Sequence, residues 1–180
     1  KDGILNVNAM FWLPENKLDE AIERENIPYD VYVKRGELRL CKGDYIKHED
    51  VYNYIYGLFK EYDIIPLEIG YDRYSALYLI DQLKKHNFHL DDVYQGDNLY
   101  GIIQETEGLM QEGKINIGDN QLLKMHFLNA AIEFNGRRQR GRLVKIKEIL
   151  HIDGVAALLD AMCVRQKYYN KIGGRLKNKK

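Results

Sequence analysis

The sequence predicts an α/β domain, with a sheet whose strands are joined by crossover helices. Strand-like and helix-like stretches alternate through the middle of the chain, the pattern of parallel strands linked by helices. The 180 residues are 45% hydrophobic and 30% charged, a globular composition that rules out wholesale disorder or a fibrous protein. No stretch approaches the roughly 18 apolar residues of a membrane span.

The elements follow in order. Ile4 to Leu13 is rich in β-prone residues and reads as a strand stopped by Pro14. Lys17 to Glu25 reads as a short charged helix. Val31-Tyr32-Val33 and Leu38-Arg39-Leu40 alternate about Arg35-Gly36 and predict a hairpin. Val51, Ile55, Leu58, Phe59 and Tyr62 fall at helical spacing and predict a helix over 48–62. Ile64 to Tyr71 reads as a buried strand, with Pro66 straining its start. Ala76, Leu77, Ile80 and Leu83 mark the next helix, Phe88 to Tyr94 a strand, and Leu99 to Glu112 a helix closed by Gly113. Asp119 is a candidate cap for a helix reaching about Asn129. Ala130 to Phe134 and Leu143 to Lys147 predict a hairpin across Asn135-Gly136. Ile152, Val155, Ala156, Leu159 and Cys163 stripe a final helix.

The formal net charge of zero conceals a split. Residues 1–136 hold 14 Lys and Arg against 24 Asp and Glu, a net of −10, whereas residues 137–180 hold 13 against 3, a net of +10. The basic part contains the cluster Arg137, Arg138, Arg140 and Arg142, continuing to Lys145 and Lys147, and a tail from Arg165 to Lys180 without an acid. A polyanion is the natural partner, and nucleic acid fits better than membrane because no long apolar helix accompanies the charge. A solvated loop and a frayed tail are the plainer alternative.

Two acids stand where chemistry can occur. Asp72 ends Leu67-Glu68-Ile69-Gly70-Tyr71 and precedes a helix. The carboxyl end of a parallel strand is where α/β proteins place their sites, although an acid there can also be a helix cap. Asp153, in His151-Ile152-Asp153-Gly154, opens the last helix and gains from its N-terminus whether or not it binds anything. Asp160 lies two turns further on the same face, as a supporting acid or a solvated one. Carboxylates gathered from separate elements hold divalent metal through hard oxygens. Two ions about 3.5–4 Å apart support phosphodiester hydrolysis, and metal with nearby arginines reverses the repulsion of DNA by acids.

Other chemistries lack their motifs. There is no P-loop, dinucleotide-binding glycine pattern or nucleophile elbow. The five histidines have no metal-ligand spacing, and Cys41 and Cys163 form neither a zinc pattern nor a disulfide framework, which suits a reducing compartment. The 14 tyrosines can stack on bases, but most fall where a core needs half-buried aromatics.

The series Phe11-Trp12-Leu13-Pro14-Glu15, Ile27-Pro28-Tyr29, Gly36-Glu37-Leu38 and Gly43-Asp44-Tyr45-Ile46 resembles the large terminase subunit of tailed bacteriophages. The order continues through Ile69-Gly70-Tyr71-Asp72-Arg73-Tyr74, Gln95-Gly96, Gly113-Lys114-Ile115, Asn129 and Ile152 to Leu158. The pieces are individually weak but specific in order and spacing, and they span nearly the whole chain up to about Met162. The resemblance implies the C-terminal nuclease domain of that subunit over residues 1–164, followed by a basic tail over 165–180. It implies an RNase H-like mixed sheet flanked by helices. The family's first strand carries the first metal-binding Asp and precedes Ile4–Leu13, so the resemblance implies a sheet lacking that strand here. A longer protein of which this is a piece would supply it, another chain would fill the gap, or the domain folds with an altered edge, and in each case weak or no activity is expected for this chain alone. The start at Lys1-Asp2-Gly3 likewise reads as a cut inside a longer protein.

The same resemblance implies metal-dependent cutting of concatemeric double-stranded DNA during genome packaging. Asp72 and Asp153 would be catalytic metal ligands for Mg2+ or Mn2+, with Asp160 an additional candidate. Partners would be double-stranded DNA, the ATPase domain, the small terminase subunit and the portal, with no membrane, in the host cytoplasm during phage assembly. From charge, Arg137, Arg138, Arg140, Arg142, Lys145 and Lys147 would contact DNA. The rival expectation is a non-catalytic DNA-binding or portal-docking module, favoured if Asp72 and Asp153 lie far apart.

Overall fold

Among the described residues, four short strand pairs rather than one continuous sheet frame the domain. The structure, a computed structural model, describes residues 3–72, 77–136, 140–169 and 171. The elements run β1 (Leu5–Asn6), β2 (Phe11–Pro14), α1 (Leu18–Glu25), α2 (Tyr29–Lys34), β3 (Leu38–Cys41), α3 (His48–Tyr62), β4 (Ile69–Asp72), α4 (Leu77–Lys85), β5 (Leu90–Val93), α5 (Tyr100–Gln111), β6 (Ile115–Asn116), α6 (Gln121–Leu128), β7 (Ala130–Asn135), β8 (Arg140–Lys145) and α7 (Asp153–Lys167). Among the described residues β1 pairs with β6, β2 with β3 and β4 with β5, all parallel, while β7 and β8 are antiparallel. The expected α/β grammar with parallel strands is present, and the expected mixed sheet is divided into these four ladders.

One expected hairpin is replaced by a helix. Val31-Tyr32-Val33 lies in α2, not in a strand, so β2 and β3 are joined by a helical crossover and run parallel. Pro28 stands just before the first turn, where a missing N–H costs nothing. Gly36 at φ +73° ends α2 rather than turning a hairpin: its N–H donates to the Val33 carbonyl, and the Glu37 N–H donates to the Tyr32 carbonyl. That pair of bonds is a Schellman closure, which favours glycine at the left-handed position. Burial of Tyr29 with Ile27, Leu38 and Leu122 outweighs the β preference of the two valines.

Two strand expectations shrink. The Ile4–Leu13 strand is broken into β1 and β2, and Ile64 and Ile65 lie outside β4 and are exposed. Pro66 cannot donate to a ladder and biases Ile65, so pairing begins only at Ile69. The hairpin of β7 and β8 forms as expected, with Ala130 opposite Lys145 and Asn135 opposite Arg140. Its second strand starts at Arg140 rather than Leu143, and Arg137 and Arg138 lie outside the described residues. So does Ala76, at the expected start of α4. The last helix continues through Lys167, where Arg165 pairs with Glu105 and Lys167 with Asp91, so the first basic residues of the expected tail are helical. No described helix is long and apolar enough to cross a membrane.

α7 is the central packing element. Leu158, Leu159, Met162 and Val164 join Val93 of β5 and Ile102 and Ile103 of α5 in the larger buried cluster. α6 is capped by Asn120 and not by Asp119. The Asn120 side-chain oxygen accepts the Leu123 N–H at 2.8 Å, while Asp119 pairs with Arg35 and Lys124. The buried Glu37 carboxylate accepts the Leu122 N–H, closing a second orphan donor of that first turn. Asn120→Ala is expected to cost about 1 kcal/mol, read as a lower midpoint in urea with an unchanged slope.

Candidate functional site

β4 delivers Asp72 to the end of a parallel ladder, opposite Val93 of β5. Glycine at position 70 lets α7 cross the strand closely. A Cβ on Gly70 would lie 2.5 Å from the Asp160 carbonyl oxygen and 2.9 Å from its carbon. This approach brings the Asp160 side chain, expected only as a supporting or solvated acid, into a buried position beside Asp72. Burial, and then the negative charge of Asp72, push the Asp160 carboxyl up to about 7. The Gln95 amide donates to Asp160 Oδ1, so a neutral donor serves it, and no Lys or Arg among the described residues forms an ion pair with it. Asp160 thus sits buried beside a second acid, with an amide as its hydrogen-bond donor.

Asp153 stands about 10 Å along the helix axis from Asp160, by helical rise alone. Its side chain is 75% exposed, and it occupies the first position of α7 without closing the cap; Ile152 is the cap residue. The backbone around it is held from α6. Asn129 Nδ2 donates to the His151 carbonyl at 3.1 Å, and the Gly154 N–H donates to His126 Nδ1 at 3.0 Å. A Cβ on Gly154 would meet Leu123 and Phe11 at 2.8 Å, which seals this end of the helix onto β2 and α6. The carboxylate faces His151, with Nδ1 to Asp153 Oδ2 at 3.4 Å and Nε2 to Glu25 Oε2 at 3.2 Å. The bond to His151 holds the Asp153 carboxyl at about 2, and Asp153 in turn, against burial and with help from Glu25, raises His151.

The structure therefore brings Asp72 together with Asp160, and Asp153 together with His151. Among the described residues no group of three His, Cys, Asp or Glu side chains is gathered closely enough to hold an ion. The donor set nevertheless suits a hard cation. The acids offer only oxygen ligands, and Asp160 is buried beside Asp72, so that a cation between them would offset both the burial and the like charge that push Asp160 up.

His126 carries a separate consequence. It is 4% exposed, and burial lowers it to about 4, with Asp153 opposing and His151 adding to the shift. Its Nδ1 accepts a backbone N–H, so the folded protein holds it neutral. The unfolded chain takes up that proton near 6.5, so the stabilisation is fully present above pH 6.5 and is lost as pH falls towards 4. The full loss is about 3 kcal/mol. Urea titrations at pH 7 and pH 4.5 are expected to show a smaller acid loss in His126→Gln than in the original chain.

A cavity of about 300 Å³ opens between α7, β8 and the segment after β5, lined by Gln95, Gly96, Arg142, Leu143, Ile152 and Ala156. Gln95 thus links the cavity wall to Asp160. Of the predicted DNA contacts, Arg140, Lys145 and Lys147 are exposed. Arg142 is exposed as well but is held by Glu133 across the hairpin at 2.6 Å, so part of its charge is already balanced.

Sequence reasoning missed Glu25, His126 and His151 as the surroundings of Asp153. The adjacency of His151 and Asp153 was a readable signal. Glu25 and His126 carried none, because α1 and α6 meet this loop only through the tertiary fold. Gln95 and Asn129 belong to the family-like series in the sequence, which by itself gives them no role.

The family described as the terminase large subunit, endonuclease domain, matches residues 1–167. The terminase large subunit of Enterobacteria phage HK97 is 29% identical over 164 residues, covering 87% of this chain and 31% of that protein. The crystal structure of the HK97 bacteriophage large terminase superimposes with a TM-score of 0.77 at 27% identity, over 90% of this chain and 34% of that one. The chain therefore spans about a third of these relatives. By a match that runs from Lys1 through the end of α7, the chain belongs to the terminase large-subunit endonuclease domain family.

Proposed function

We propose that this chain is the part of a packaging terminase that cuts concatemeric double-stranded DNA by divalent-metal-dependent hydrolysis. The observation that carries the reading is the meeting of Asp72, at the carboxyl end of β4, with the buried Asp160 of α7. The family match gives that meeting its context. Mg2+ or Mn2+, when bound, would activate water and stabilise the departing oxygen. Asp72 and Asp153 would be its principal ligands, with Asp160 closing the site from the helix. Gln95 would hold the Asp160 carboxyl through its amide. Arg140, Arg142, Lys145 and Lys147, with Arg137 and Arg138 of the same basic cluster in the sequence, would hold the DNA backbone. Phosphate contacts of this kind carry little sequence information. An ATPase domain, a small subunit and a portal would be the protein partners, in the cytoplasm of the infected host.

A supercoiled-plasmid nicking assay with Mn2+, on this chain and on a form extended upstream of Lys1, tests the reading. Cleavage by either form that stops on chelation supports it. Salt-sensitive DNA retardation without cleavage by both would instead make the chain a binding or docking module.

A further inference from the structure

Glu25 is the last residue of α1, far from Asp153 in sequence, and its side chain is only 1% exposed. Burying a carboxylate costs several kcal/mol unless donors replace water. Here three groups do so: the Tyr29 hydroxyl donates to Oε2 at 2.5 Å, Arg24 pairs with Oε1 at 2.5 Å, and His151 Nε2 faces Oε2 at 3.2 Å. Burial pushes the Glu25 carboxyl up, and Tyr29, Arg24 and His151 together bring it below its ordinary range.

The third contact leads outward. His151 turns its other ring nitrogen to Asp153 at 3.4 Å, so one imidazole joins a buried carboxylate to an exposed one. The backbone on both sides of Asp153 is already fixed by Asn129 and His126. The remaining freedom is rotation of the Asp153 side chain itself, which is mostly in solvent. His151 restrains that rotation, and Glu25 restrains His151. We propose that Glu25, acting through His151, is a positioning residue that holds the Asp153 carboxylate in place for a divalent cation. The inference rests on the metal-ligand role proposed for Asp153. Groups that orient a ligating carboxylate typically change metal affinity 10–100-fold when removed. A purely structural Glu25 would need only Arg24 and Tyr29.

The test is Mn2+ binding to the folded chain, measured by calorimetry and by the loss of the free-ion electron spin resonance signal. Glu25→Ala and His151→Ala are each expected to weaken Mn2+ binding by about 10-fold or more. Glu25→Gln keeps an oxygen that accepts from Nε2–H and is expected to stay within about threefold of the original chain. Tyr29→Phe removes a Glu25 bond without touching His151 and is expected to bind Mn2+ normally. Circular dichroism checks each fold. If Glu25→Ala does not fold, His151→Gln breaks the bridge from its exposed side and carries the same expectation. In the metal-free protein, Glu25→Gln is expected to move the ¹⁵N resonance of His151 Nε2 and Asp153→Asn that of Nδ1. Normal Mn2+ binding by Glu25→Ala or His151→Gln, with binding lost in Asp153→Ala, would overturn the positioning role and leave the metal site standing. Normal binding by Asp153→Ala would overturn both.

Discussion

Asp72→Ala and Asp153→Ala are each expected to reduce Mn2+-supported nicking by more than about 100-fold, in whichever form of the protein cuts. Removing a group that merely orients a metal ligand already costs 10–100-fold, so removing a ligand should exceed that range. The two substitutions should differ in stability. Asp153 is exposed, but it donates a favourable charge to the helix N-terminus and to His151, so its loss should lower the melting temperature slightly. Asp72 presses charge on the buried Asp160, so Asp72→Ala should relieve part of the upward push on the Asp160 carboxyl. Full activity in either variant would remove that residue from the site.

The second large effect is expected at Gly70. A methyl there would meet the carbonyl oxygen of Asp160 at 2.5 Å, and a backbone atom of a packed helix cannot swing aside as a side-chain tip can. Gly70→Ala should force β4 and α7 apart at a cost of about 1–3 kcal/mol. For a chain of this size that is roughly 2–4 °C per kcal/mol of lowered melting temperature. Activity should fall together with stability, because the same displacement separates Asp72 from Asp160. Gly154→Ala offers a comparison: its added methyl meets the side chains of Leu123 and Phe11, which have more room to adjust. A Gly70→Ala protein that melts normally would mean that the close approach is not needed.

Much of this arrangement was legible in the residues. The helical spacing of Val51, Ile55 and Leu58 and of Val155 and Leu159 places α3 and α7 correctly. The alternation of elements gives parallel ladders, and Asp72 falls at the strand end where a site is expected. The failures have identifiable causes. Arg35-Gly36 has the composition of a hairpin turn, but the same left-handed glycine closes a helix when the residues before it are packed, as Tyr29 is. Asp119 and Asn120 are both good caps, and only the tertiary pairing of Asp119 with Arg35 and Lys124 separates them. The burial of Asp160 could not be read from its face of α7, because it depends on the missing side chain of Gly70 on another element. The His151 bridge to Glu25 likewise depends on where α1 ends relative to α7.

The proposed function places a divalent cation at the end of β4, held by Asp72 with at least one acid of α7. Anomalous diffraction from crystals soaked in Mn2+ tests it most directly. Manganese is expected at the end of β4, bounded by carboxylate oxygens of Asp72 and of at least one of the two α7 acids, with no such peak in Asp72→Ala. Manganese bound elsewhere, or an identical peak in Asp72→Ala, would contradict it.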